Sequence, residues 1–124
     1  NIVSVGIRSQ AIEERENLAK DTIFFAHEIY RDSTLPEKVC QALKNENIYL
    51  TIDLDVFDSG LMPSTGTPEP GGLTWYQVLE VIDKVAKQKN IIGFDVVELC
   101  PNKINKAPDF LAAKLVYSIM ARIK

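Results

Sequence analysis

Thr51, Asp53 and Asp55 stand at every second position of the run Ile48-Tyr-Leu-Thr-Ile-Asp-Leu-Asp. Side chains two apart on a β-strand share a face, so a strand here brings two carboxylates together where it ends. Two like charges about 4 Å apart repel by about 4 kcal/mol at an effective dielectric of about 20, and folded proteins seldom leave such a pair uncompensated. A divalent cation is the direct compensation. Hard oxygen donors favour magnesium or manganese, and manganese better tolerates added imidazole. The Asp-x-Asp spacing also suits two solvated turn residues or helix caps, and these residues alone leave both readings open. The segment that follows, Val56 to Leu73, is the one long irregular stretch of the chain and is rich in glycine and proline. Loops of that length in compact domains are usually functional.

The elements that must position these residues are visible as an alternation. Four β-rich runs, Ile2 to Gly6, Thr22 to Ala26, Ile48 to Leu54 and Asn90 to Leu99, alternate with four helical patterns. That order is the signature of βαβ units and a parallel sheet. In such sheets ligands bind beyond the carboxyl ends of the strands, where Asp53 and Asp55 fall. The last helix is predicted from Leu111, Ala112, Leu115, Val116, Ile119, Met120 and Ile123, spaced by three and four after Pro108 in the first turn, and its stripe should pack on the sheet. Thr74 and Gln77 form a capping box ahead of a face of Val78, Leu79, Ile82, Val85 and Ala86. A third helix starts near Thr34 with Pro36 and Glu37 in its first turn. A fourth covers Ala11 to Lys20, with a thin face of Ile12, Arg15, Leu18 and Ala19.

Bulk properties exclude several partners. The 124 residues, 46% hydrophobic and 25% charged, suit one soluble domain with one core. A net charge of -3 with scattered lysines gives no footprint for nucleic acid. No apolar run approaches the roughly 18 residues that cross a bilayer, and Asn1 to Arg8 lack the order of a signal peptide, so no membrane partner is expected and the expected location is the cytosol. Cys40 and Cys100 are not in a Cys-x-x-Cys arrangement and read as reduced, structural thiols.

Two families share parts of the pattern. Leu50 to Asp55 resembles the first motif of haloacid-dehalogenase-type phosphatases, in which one Asp is phosphorylated and the second is the acid/base. That motif continues with a Gly and a Thr, whereas Val56 and Phe57 stand here, which counts heavily against it. Thr51-Ile-Asp-Leu-Asp-Val-Phe-Asp58, continued by Pro63-Ser-Thr-Gly-Thr-Pro-Glu-Pro-Gly-Gly-Leu-Thr74, resembles the ureohydrolase signature over 24 ungapped residues. Gly93-Phe-Asp-Val-Val-Glu98-Leu-Cys-Pro101, then Phe110-Leu-Ala-Ala-Lys-Leu115, agrees at the expected distance, and Val5-Gly-Ile-Arg-Ser9 is similar to the family's strand and turn. The chain thus resembles the C-terminal half of the ureohydrolases, the arginase, agmatinase and formiminoglutamase family, and looks closest to agmatinases through Thr67-Pro-Glu-Pro-Gly-Gly and Asp95-Val-Val-Glu98. It departs from the pattern at Ser59, often proline, which loosens one turn. It departs again at Lys103-Ile-Asn105, where the family has an acidic residue, and this bears on the substrate pocket.

The resemblance implies an α/β fold of three layers, α/β/α, with a mostly parallel sheet. Residues 1–124 would be the C-terminal portion of a single ureohydrolase domain and supply about four strands. It implies manganese-dependent hydrolysis of a guanidino compound, with agmatine first and putrescine as the amine product. Arginine, guanidinobutyrate and formiminoglutamate are the alternatives. Two Mn2+ ions per site would be bridged by Asp53, with Asp55 chelating one of them, and would activate water as the nucleophile. Glu98 would hold the guanidinium by paired charge-assisted hydrogen bonds, and Thr67 would lie near the scissile end. A homo-oligomer, trimer or hexamer, is implied as well. The family's remaining ligands come from a Gly-Gly-Asp-His type and an Asp-x-His-x-Asp type segment, neither of which occurs in this sequence. The chain by itself is therefore expected to be inactive, either as the later piece of a longer chain or as a degenerate subunit.

Other conspicuous residues read as structural. His27, the only histidine, falls outside every motif. Cys100 reads as a small buried hydrophobe, Trp75 as core or subunit packing, and Asp58 as a turn residue. Gly66, Gly71 and Gly72 are expected to adopt conformations closed to other residues. Strand alternation puts Asp95 on the face opposite Glu98, with a buried hydrogen-bonding role.

Overall fold

The computed structural model describes residues 1–14 and 22–123. Its elements run β1 (Ser4–Ile7), β2 (Ile23–Phe25), α1 (Ala26–Ile29), α2 (Leu35–Ala42), β3 (Asn47–Asp53), α3 (Trp75–Gln88), β4 (Asn90–Val97) and α4 (Ala107–Met120). Every strand pairing is parallel: β1 pairs with β2, and β3 pairs with β4 in a register from Asn47↔Asn90 to Asp53↔Val97. Parallel neighbours need a long crossover, and α3 lies within the crossover that joins β3 to β4. The α/β arrangement with parallel strands is the expected one, and the described residues hold its four strands as two two-stranded sheets.

The β3–β4 pair is two-faced. Ile52 and Ile91 are buried, and Ile48, Leu50, Phe94 and Val96 pack against the core beside them. The alternate positions Tyr49, Thr51 and Asp53 are exposed, as the period of two requires. Because the parallel register sets Thr51 beside Asp95 and Asp53 beside Val97, the polar face of both strands leads to one end of the pair. The core beneath is closed by Leu54, Phe57, Met62, Leu115 and Ile119, which are almost wholly buried.

Helix α3 begins on the expected capping box: Thr74 Oγ1 accepts from the Gln77 N–H, and the Gln77 carboxamide oxygen accepts from the Thr74 N–H at 2.9 Å. Helix α2 carries Pro36 in its first turn. Helix α4 buries Ala112, Leu115 and Ile119, but Met120 is 61% exposed, alongside exposed Phe110 and Tyr117. The helix is apolar on more than one face, and only one stripe can meet this core. Of the helix expected over Ala11 to Lys20, the described residues form a 3-10 turn at Ile12–Glu14, with Ile12 80% exposed; Arg15 to Lys20 lie outside the described residues. No helix among the described residues is long and apolar enough to cross a membrane.

Candidate active site

Strand β3 stops at Asp53, two residues earlier than the carboxylate pair requires if both are strand residues. Leu54–Val56 form a 3-10 turn, and Asp53 caps it, its Oδ1 accepting from the Asp55 N–H at 3.0 Å. Asp55 therefore does not share a strand face with Asp53. The turn itself brings the carboxylates together, because an N-cap side chain folds back over the residues that follow it. The metal-ligand and helix-cap readings of Asp53 are thus compatible: one oxygen caps the turn.

The electrostatics are those of a crowded anionic site. Burial pushes the Asp53 carboxyl above its usual range, and the nearby charges of Asp55 and Glu98 push it the same way, while the Asp55 N–H partly offsets them. Asp53 is open to solvent on one side, yet enough protein surrounds the carboxylate to make ionisation costly. Among the described residues, the ion pair at these carboxylates is Arg8 Nη2 to Asp55 Oδ1 at 3.9 Å.

Thr67 and Glu98 reach the same place from different segments. The Thr67 hydroxyl donates to Asp55 Oδ2 at 3.3 Å, which brings the long loop over the 3-10 turn. Glu98 lies one residue beyond β4 in the left-handed region, φ 66°, so strand alternation does not govern its side chain. A Cβ added at Gly66 would sit 3.7 Å from Glu98 Oε2. The Cys100 N–H donates to the Ser64 carbonyl at 2.8 Å, and this ties the segment after β4 to the loop that carries Thr67. The four expected site residues, Asp53, Asp55, Thr67 and Glu98, are therefore brought to one end of the β3–β4 pair.

Several expectations are corrected. Cys100 is exposed, since the chain leaves the sheet at Glu98, whereas Cys40 is buried; both are free thiols. Asp95 has its partner on the polar face: Oδ1 accepts from the Thr51 hydroxyl at 2.6 Å, and Asp95 also faces Tyr49, whose phenol it raises. It is only half-buried, and its side chain lies on the same strand face as Asp53. Of the three glycines, Gly71 has φ +82°, whereas Gly66 meets only ordinary contact distance. Gly72 is required by close approach, because a Cβ there would press into the Phe57 carbonyl and come within 2.5 Å of the Asp58 nitrogen. Gly72→Ala in the full-length protein is expected to destabilise the fold by about 1–3 kcal/mol, the range for forced overpacking. An unchanged denaturant midpoint would contradict that.

Asp58 is the turn residue it was expected to be. Its carboxylate accepts from the Gly60 N–H at 2.9 Å and the Gly71 N–H at 2.8 Å, and these bonds hold its pKa below the ordinary value. Trp75 packs on the core and stacks on Phe57, centroids 6.1 Å apart. His27 is exposed and stacks on Phe25 at 5.7 Å. A cavity of about 950 Å³ is lined by His27, Tyr30, Asp58, Gly71 and Trp75 among others. It contains none of Asp53, Asp55 and Glu98, which lie on an open polar surface.

Arg8 and Ser9, just past β1, carried no assigned role in the sequence reading. The Arg8 guanidinium donates to the Asp55, Val56 and Gly6 carbonyls, and the Ser9 hydroxyl donates to Glu69 Oε2 at 2.7 Å. The available signal was a basic residue at the carboxyl end of a second parallel strand, the edge where ligands bind.

Hard carboxylate oxygens in excess over cationic partners suit a divalent metal. Among the described residues, however, no three His, Cys, Asp or Glu side chains are grouped to hold one. Asp53 and Asp55 fit part of a coordination shell.

Comparison with known proteins gives the same frame. The model of the arginase family matches residues 1–121. N(1)-aminopropylagmatine ureohydrolase of Thermococcus kodakarensis is 42% identical over 122 residues, covering 96% of this chain and 41% of that protein. Agmatinase of Pyrococcus horikoshii is 41% identical over 75 residues, covering 60% of this chain and 26% of that protein. The crystal structure of agmatine ureohydrolase of Thermoplasma volcanium superposes with a TM-score of 0.81 at 31% identity, covering 98% of this chain and 41% of the other. The chain spans less than half the length of these relatives. With the family model matching residues 1–121 and a solved relative superposing over 98% of the chain, the chain belongs to the arginase family.

Proposed function

We propose that residues 1–124 are the C-terminal portion of a single ureohydrolase domain, and that the complete protein hydrolyses a guanidino compound to urea and an amine with two manganese ions. The observation that carries this reading is the convergence of Asp53, Asp55, Thr67 and Glu98 at the carboxyl end of β3 and β4. Asp53 and Asp55 would supply oxygen ligands to the metal pair, and the histidine and further aspartate ligands would come from the rest of the protein. When bound, the metals supply the positive charge that activates water for attack on the guanidinium carbon.

The chain's own residues set the substrate's position. Glu98, an anion at the site rim, offers two parallel acceptors to a planar guanidinium. Thr67 spends its hydroxyl proton on Asp55, so its oxygen remains free to accept from a substrate N–H. The closed Asp58 turn and the bond from Cys100 to Ser64 keep both loops in place.

Agmatine is the first choice of substrate, with putrescine as product. Aminopropylagmatine is a second reading, favoured by the name of the Thermococcus kodakarensis relative, which covers 96% of this chain. The two share the guanidinium end that Glu98 would meet and differ at the far amine. Assembly into a homo-oligomer, trimer or hexamer, belongs to the same proposal, as does a cytoplasmic location. The test is urea release by the full-length enzyme with each guanidino compound, and formamide release with formiminoglutamate. The expected result is a kcat/KM for agmatine or aminopropylagmatine at least about tenfold above arginine, a discrimination of about 1.4 kcal/mol. A preference for arginine of that size would overturn the substrate assignment, and phosphate release from a generic ester would overturn the reaction class.

A further inference from the structure

We propose, resting on the ureohydrolase reading above, that Arg8 is a positioning residue that sets the orientation of Asp55 for metal binding. The Arg8 side chain is 91% buried, being 9% exposed, and it lies across the 3-10 turn that carries Asp55. Nη2 donates to the Asp55 carbonyl, and Nη1 is 3.2 Å from the Gly6 carbonyl and 3.5 Å from that of Val56. One planar fork thus joins the end of β1 to the turn after β3, elements 47 residues apart at the Arg8–Asp55 bond. Its charge also faces the Asp55 carboxylate at 3.9 Å. Ser9 adds a second link from the same segment to Glu69 in the long loop, at 2.7 Å.

This arrangement explains why a carboxylate outside a strand can still be held in a fixed direction. Asp55 has four restraints: its N–H to Asp53, its carbonyl to Arg8, its Oδ2 to Thr67 and its Oδ1 toward Arg8. A lysine keeps the charge but presents a single rotatable ammonium, so it cannot reproduce a planar fork to three carbonyls. Arg8 does not meet the substrate. It acts through Asp55, as outer partners act on the ligands of a metal.

The experiment uses the full-length enzyme with Arg8→Lys and Arg8→Ala, and Asp55→Asn as the reference. Manganese affinity is measured by titration calorimetry, and KM and kcat for the best guanidino substrate are measured over a range of manganese concentrations. In Arg8→Lys we expect an about 10- to 100-fold loss of affinity for one of the two ions, a KM for substrate within about twofold of wild type, and kcat recovered by excess manganese. Arg8→Ala would show a larger loss or fail to fold, and Arg8→Lys then carries the test. Wild-type manganese affinity in folded Arg8→Lys would overturn the proposal, as would a lowered Tm with affinity unchanged. If Asp55→Asn also leaves metal binding unaltered, the ureohydrolase reading falls with it; if Asp55→Asn abolishes one site and Arg8→Lys does nothing, only the role of Arg8 falls.

Discussion

Asp55→Asn in the full-length enzyme is expected to lower urea release by about three orders of magnitude, equivalent to about 4 kcal/mol of barrier, with loss of one of two bound manganese ions. The amide is nearly isosteric, so the 3-10 turn and its cap from Asp53 should survive, because the cap uses the backbone N–H of residue 55. What disappears is the charge. Removing it also removes part of the repulsion that raises Asp53, leaving burial as the main cause of that shift. The carboxylate of Asp53 should then ionise more readily, yet one carboxylate cannot replace two ligands. Metal content by mass spectrometry and urea release, measured on the same preparation, would decide it. Two tightly bound ions with near-wild-type turnover would show that Asp55 is not a ligand.

Glu98→Gln carries the second large effect. Among the described residues the exposed Glu98 side chain has no salt-bridge partner, so its carboxylate is open to a ligand from outside. Losing one member of a desolvated ion pair typically costs about 2–5 kcal/mol, so kcat/KM should fall by about 30-fold to several thousand-fold, while manganese content stays at two per site. Stability offers an independent check. Glu98 has φ 66°, a region that strains residues other than glycine by about 1–3 kcal/mol. Glu98→Gly should therefore abolish turnover without lowering Tm. A glycine variant that melts well below wild type, or a glutamine variant with unchanged kcat/KM, would place the function of Glu98 elsewhere.

Sequence periodicity was enough for the regular elements. Alternation placed Thr51 and Asp53 on one face of β3, and Thr74 with Gln77 marked the start of α3, because these patterns arise from backbone geometry over a few residues. The pattern overreached where it assumed that an element continues. Asp55 shares the spacing of a strand residue, but the Asp53 side chain satisfies its N–H and ends the strand. Met120 shares the helical spacing of Leu115 and Ile119, yet α4 turns it away from the core. Cys100 looked like a core residue by type, and the left-handed turn at Glu98 carries it to the surface.

What the sequence determined by itself was the set of chemical groups: the aspartate pair, Thr67, Glu98 and the glycine- and proline-rich loop, together with the family they resemble. Local preferences and side-chain chemistry operate within a few residues, and so they can be read from neighbours in the chain. What only the tertiary structure decided was which of those groups share a space and what holds them there. The approach of Glu98 to Gly66, the bond from Thr67 to Asp55 and the reach of Arg8 across 47 positions all depend on parallel strands ending side by side. Register and crossover set that outcome, and no spacing along the chain encodes it.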